Sequence, residues 1–403
     1  MKDYDVQSHE PLPAEFSWGS VLAMAAGTFT YVTTEFLPVG VLPEVAKSFN
    51  ITTGDAGLMV TLPGILAALG APAVLLLSGN LNRRLVIVIL SLMLVISCGM
   101  SAVSTQYIWM LFSRAMFGFG LGGFWSLAIA IPSQLVSEKS IAKATAVIFS
   151  GVSLGMIVGV PFGTFISEIY GWRASFITVG VIGALAVAAQ ITYLPSLASR
   201  SGMKLHDLIS FSKVGKARIS LLLTAFLFIG HFSAYTYVAP LLIQSGVPAE
   251  AVTYVLLGFG VIGLLANSVA ARFLPHKVNV ALFMIAMLMV GVMVSLSLTN
   301  SVKLSVITSV LIWGGAWGAL PLCMSTYHRL VDFHHEEASA VMLIFIIQIA
   351  IAIGSSLGGY LADSFGLKSV FSLSGGLYII FLTLLIMSSS YLAKKKKKIT
   401  VLD

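Results

Sequence analysis

The chain has 403 residues, 58% of them hydrophobic and only 10% charged, with a mean hydropathy of +0.97. A water-soluble protein so poor in charge could not cover its own surface, and continuously apolar runs exclude a β-barrel, whose strands alternate over about ten residues. The net charge of +7 is accounted for by basic residues between the helices and in the C-terminal lysine run, and calls for no nucleic-acid partner. In chain order, apolar runs of about 20 residues or more, enough to cross a ~30 Å hydrocarbon core, predict helices at 18–42, 53–78, 84–103, 107–134, 141–168 and 172–194. Six more follow at 218–243, 250–272, 278–299, 303–328, 338–362 and 368–392. The first 17 residues are polar and lack a basic stretch followed by a short apolar core, so the first helix is expected to act as the targeting element itself.

Basic residues set the expected orientation, because they are retained on the cytoplasmic side. With both termini inside, cytoplasmic segments hold 18 lysines and arginines, including Lys394 to Lys398, against 4 on the opposite face: Lys47, Arg173, Lys303 and Lys368. The lysine run is read as a topogenic signal or an anchor for membrane lipids. Cys98 and Cys323 both fall in apolar helices, which offers neither a disulfide framework nor a metal site.

The only long polar stretch between helices, 195–217, separates an N-terminal six-helix bundle (1–194) from a C-terminal one with a basic tail (218–403). The halves resemble each other. Gly159-Val-Pro-Phe-Gly163, Glu168, Gly171 and Phe176 recur 195 residues later as Gly354-Ser-Ser-Leu-Gly358, Asp363, Gly366 and Phe371. Gly122-Gly123-Phe124-Trp125 recurs 192 residues later as Gly314-Gly315-Ala316-Trp317, and Gly27 and Phe29 match Gly230 and Phe232. Parallel six-helix repeats with a site at the bilayer midplane are a transporter architecture.

Ionisable residues within a bilayer are costly and mark function by default. Glu35 lies about seven residues before the outer end of helix 1 and Arg114 about seven residues into helix 4, so at 1.5 Å per residue both sit roughly 10 Å deep. Equal depth permits an ion pair, and burial and a neighbouring cation act on a carboxylate's proton in opposite senses. Arg114 could equally be structural, bonding main-chain carbonyls. His231, midway along helix 7, suits proton coupling, a hydrogen bond to a polar substrate, or a satisfied core position. Gln348 and Asn267 are candidate substrate ligands or inter-helix contacts, and Trp125, Tyr235, Trp313 and Trp317 could stack on a flat ring or simply pack. Gly151, Gly155, Gly159 and Gly163, with Pro161, form a close-approach stripe on helix 5, expected to let that helix rock against a neighbour across the interface between halves. His328, His334 and His335 fall at a helix end and loop where exposure explains them. No phosphate-binding Gly-x-x-x-x-Gly-Lys-Ser/Thr or catalytic triad occurs, so the chain is expected to be no enzyme, to need no cofactor, and to draw on an ion gradient.

These motifs resemble the major facilitator superfamily, in its drug:proton antiporter branch, over nearly the whole chain. Thr34-Glu35-Phe36-Leu37-Pro38-Val39-Gly40 is similar to the Thr-Glu-Phe-x-Pro-Val-Gly signature of the branch's sugar and nucleoside exporters. Arg114 with Gly118-Phe-Gly120 resembles the helix-4 motif whose arginine is implicated in proton transfer. The stretch from Gly151 to Gly163 resembles the antiporter motif, with Val160 where a glycine often precedes the proline, and Gly171-Trp172-Arg173 follows as the family has it. Ser78-Gly79-Asn80-Leu81-Asn82-Arg83-Arg84 lacks the usual aspartate of the loop between helices 2 and 3. Leu121-Gly-Gly-Phe-Trp125 and the region from Trp313 to Gln348 look most like the purine-ribonucleoside exporters, with the arabinose-type sugar exporters close behind. The resemblance implies a 12-helix, all-α protein of the bacterial inner membrane, working as a monomer and exchanging protons for a small polar solute. Multidrug efflux and a passive facilitator are the competing functions.

Overall fold

A computed structural model describes residues 18–79, 81–128, 131–197, 215–273, 278–298, 303–331 and 336–399. The first half begins with α1 (Trp18–Phe49), α2 (Thr53–Leu77), α3 (Arg83–Val103), α4 (Tyr107–Ala128) and the short α5 (Pro132–Leu135). It continues as α6 (Ile141–Leu154), a π turn (Gly155–Gly159), α7 (Val160–Tyr170) and α8 (Trp172–Tyr193). The second half holds α9 (Gly215–Tyr235), α10 (Val238–Gln244), α11 (Ala249–Phe273), α12 (Val278–Leu298), α13 (Lys303–Val331), α14 (Glu336–Phe365) and α15 (Leu367–Ile399). Residues 198–214, most of the expected linker, and the loop histidines His334 and His335 lie outside the described residues.

Ten helical stretches among the described residues are long and apolar enough to cross a membrane. α1 and α4 fall short of that apolarity, diluted by the threonines around Glu35 and by Arg114 and its glycines. Their polar positions face inward, where Thr28, Thr34, Glu35, Ser113 and Arg114 are buried. The outward faces are apolar instead: Leu22, Leu77, Leu185, Leu265, Met284 and Met387 are all exposed, an arrangement suited to lipid and not to water.

Local sequence explains the breaks. Thr52 caps α2, its hydroxyl accepting the Asp55 N–H at 3.0 Å. Gly171 and Gly366, which the internal repeat aligns, both adopt positive φ (83° and 82°), and each ends one helix where the next begins. Helix 5 of the sequence reading is not uniform. Its i→i+4 ladder widens to a π turn at Gly155–Gly159, just before Pro161, which has no N–H to give. Helix 7, expected to be continuous over 218–243, breaks between Tyr235 and Val238, where the ring of Pro240 would clash with the Thr236 carbonyl of an unbroken helix. Helix 4, expected to reach 134, is described as α4 up to Ala128 and again as α5 from Pro132 to Leu135, residues 129–130 lying outside the described residues.

Packing repeats between the halves. α1 packs on α6 and α8 as α9 packs on α14 and α15; α2 pairs with α4 as α11 pairs with α13; α3 lies on α8 as α12 lies on α15. Two packed helix pairs that join the halves are exchanged by the repeat, α2 with α14 and α11 with α7 and the π turn, and α1 also meets α10 across the seam. In the loop that lacks the aspartate, Asn82 donates to Ser196 Oγ (2.8 Å) and Arg83 to Ser78 Oγ (2.6 Å), while the Arg83 N–H reaches Leu197 O (3.0 Å). That loop is thus fastened to the end of α8 in its own half.

Candidate functional site

Between the halves lies a cavity of about 450 Å³. Its wall is mostly apolar and aromatic, with few polar groups. Glu35 enters from α1, Trp125 from α4, His231 and Tyr235 from α9, Asn267 from α11, Trp317 from α13 and Gln348 from α14. The structure therefore brings seven of the candidate residues to one surface, although they are scattered over six helices. Trp313 is not on that surface. It is fully buried, edge-on to His231 (5.3 Å between ring centroids) and Tyr235 (6.0 Å), on the same helix face as Trp317 but one turn earlier along α13.

Glu35 is the only buried acid among the described residues. Its Oε1 accepts a hydrogen bond from Gln348 Nε2 at 3.0 Å, from the opposite half of the molecule. Phe36 beside it crosses the same seam, stacking on Phe232 at 5.6 Å and 14°. The ion pair that equal depth permitted is not what Arg114 makes. Its Nε donates to Met59 O (3.0 Å), Nη1 to Thr34 O (3.1 Å) and Nη2 to Glu35 O (3.5 Å), and its guanidinium lies 4.6 Å from the Phe117 ring centre. A rigid fork of donors satisfies carbonyls of α1 and α2 together, so Arg114 holds the backbone that carries Glu35.

The glycine stripe also has a different neighbour from the one expected. A Cβ on Gly155 would lie 2.9 Å from Val32 Cβ, and one on Gly159 would lie 2.9 Å from Thr33 Oγ1; Gly151 and Gly163 likewise face Ala25 and Leu37. All four contacts are with α1 of the same half. Pro161 follows them at the start of α7. Across the seam, close approach falls to Gly260 of α11, where a Cβ would lie 2.8 Å from Ile157 Cα.

At the end of the seam bearing residues 50–52, polar contacts tie the halves together. Asp363 Oδ1 accepts the Gly54 N–H (2.9 Å) and Oδ2 the Thr52 hydroxyl (2.7 Å). The Thr253 hydroxyl donates to Glu168; within the second half, the Tyr237 hydroxyl donates to Ser355 O (2.7 Å). Glu168 and Asp363 occupy equivalent positions of the repeat, so each half sends one carboxylate to the early turns of the other half's second helix. Sequence reading missed these contacts, although two acids 195 residues apart at matched positions were the available signal. It also missed Phe36, whose signal was its place beside Glu35.

A family model for the major facilitator superfamily matches residues 24–346. The chain belongs to the major facilitator superfamily. It is a transporter and not an enzyme. Among curated relatives, the purine ribonucleoside efflux pumps NepI of Salmonella typhimurium and of Salmonella enteritidis are each 29% identical over 365 residues, covering 90% of this chain and 92% of theirs. Solved structures of the superfamily share its fold. A point mutant of the nucleoside transporter NupG superposes with a TM-score of 0.74 at 12% identity, covering 92% of this chain and 99% of that one. A bacterial homologue of the human lysosomal transporter Spinster, inward-facing and unoccupied, gives 0.71 at 16% identity, covering 95% and 99%.

Proposed function

We propose that this transporter exports purine ribonucleosides in exchange for protons, by alternating access, with Glu35 as the proton carrier. The observation that carries the reading is the hydrogen bond between Gln348 and Glu35. It joins the one buried acid of the first half to the second half, inside the cavity, so the acid's charge and the contact between halves are linked. Protonation from outside neutralises the carboxylate and removes the charge assistance from that bond, which lets the halves separate. Loss of the proton to the cytoplasm restores the bond. The substrate class is supported by the nucleoside pumps among the relatives and by the wall itself. Aromatic faces suit a flat base, and the few polar groups suit its edge and a ribose. Arg114 supports the carrier by fixing its backbone. We further propose a monomer in the bacterial inner membrane, with both termini cytoplasmic and the halves divided at 195–217. The end bearing Thr52 and Asp363 then faces outward.

The test is uptake of radiolabelled inosine into everted vesicles energised by a pH gradient, comparing wild type with Glu35→Gln. Accumulation in wild type that is lost in the variant supports both substrate and carrier. Accumulation retained in the variant removes Glu35 from proton coupling. Uptake that never exceeds equilibrium supports a passive facilitator, and no uptake by folded wild type turns the search to sugars and cationic drugs.

A further inference from the structure

Among the described residues, His231 is the most completely enclosed polar group of the cavity wall. Its imidazole lies face to face with Trp317, at 3.4 Å between centroids and 5° between planes, and Tyr235 stacks on it at 4.9 Å and 20°. Phe232 meets it edge-on at 4.9 Å and Trp313 at 5.3 Å. The residue is 1% exposed, yet it belongs to the cavity lining, and neither Nδ1 nor Nε2 has a hydrogen-bond partner.

Those facts constrain what the ring can do. Aromatic stacking fixes its plane and leaves the edge that bears the nitrogens, closed to solvent in this structure, as the only polar surface it can offer a solute. A neutral imidazole offers one donor and one acceptor there. Leaving a buried polar atom unpaired is costly, and a site built around such atoms rejects solutes that fail to pair them. Gln348 Oε1 is a second unpaired atom of the same wall. Among the described residues, no carboxylate or hydroxyl receives a hydrogen from His231 or supplies one to it.

We infer that His231 is the specificity-determining residue of the cavity: held by stacking on Trp317 and Tyr235, it hydrogen-bonds the polar edge of the substrate's base and takes no part in carrying the coupled proton. This rests on the nucleoside reading above. A proton carrier must exchange with both sides, whereas this ring is immobilised to recognise.

The experiment uses the full chain in proteoliposomes, with wild type, His231→Phe and His231→Gln. The Phe variant keeps a ring to stack and loses both nitrogens; the Gln variant keeps a donor and an acceptor and loses the ring. Two rates are measured for labelled inosine: counterflow exchange at equal pH, and accumulation under a pH gradient, with guanosine, adenosine and hypoxanthine as competitors. For His231→Phe the inference expects KM to rise about tenfold or more, an equal loss in exchange and in accumulation, and an unchanged pH profile. For His231→Gln it expects a smaller rise and an altered order of competitors. It is overturned if His231→Phe matches wild type in KM and competitor order, or if exchange survives while gradient-driven accumulation is lost. If wild type exchanges no nucleoside at all, the substrate reading falls and takes this inference with it, an outcome distinct from the other two.

Discussion

Replacing Asp363 with alanine should release the end of the seam that bears Thr52. Two hydrogen bonds disappear, from the Gly54 N–H at 2.9 Å and the Thr52 hydroxyl at 2.7 Å. Bonds to an ionised acceptor are worth about 1.5–3 kcal/mol when shielded and about 0.5–1.5 kcal/mol in ordinary settings. Asp363 is exposed, so solvent and salt place each at the lower end, and together they contribute about 1–2 kcal/mol. Because they form only while the halves touch at this end, their loss changes the ratio of closed to open molecules by about 5- to 30-fold. The buried hydrogen bond between the Thr61 and Ser355 hydroxyls (2.8 Å) stays, so the seam is loosened and not abolished. Spin labels at Asp55 and Ser372 report the separation of the halves by pulsed electron resonance. The expected result is growth of a long-distance population in Asp363→Ala, with a smaller shift in Asp363→Asn, whose amide oxygen still accepts the Gly54 N–H. Identical distance distributions in wild type and Asp363→Ala would refute the assignment of these bonds as a clasp between halves.

Two further outcomes follow from buried geometry. Arg114→Lys keeps the charge but cannot span three carbonyls, so it should lower stability by about 3–6 kcal/mol, two charged hydrogen bonds being lost; an unchanged thermal midpoint in detergent would show that charge alone mattered. Gly155→Ala should cost about 1–3 kcal/mol by pressing a methyl into Val32. Gly99→Ala, with nothing within 4 Å of the added Cβ, should be neutral or stabilising by up to about 1 kcal/mol. Equal midpoints for the two glycine variants would contradict the packing described for α1 and the π turn.

Periodicity and composition were enough for the fold because a bilayer forces each spanning segment to satisfy its own backbone, which leaves a signature of length and apolarity in the sequence. Even where α1 and α4 fall short of that apolarity, their residues are informative, since Glu35 and Arg114 are polar for a reason visible without coordinates. The internal repeat likewise carries the pairing of α2 with α14 and of α11 with α7, since both follow from one interface used twice. Chain order, by contrast, holds no information about which face of a helix meets which neighbour. Equal depth placed Glu35 and Arg114 at one level, but the rotation of α4 about its axis decided that Arg114 meets carbonyls while Gln348, 313 residues away, meets the carboxylate. Rotation also turned the glycine stripe towards α1 and not across the seam, while the position along α13 where the cavity opens decided that Trp317 lines it and Trp313, one turn earlier on the same face, does not. A sequence fixes what a helix must bury; only the packed structure decides against what, because that choice is made by side chains from helices far apart in the chain.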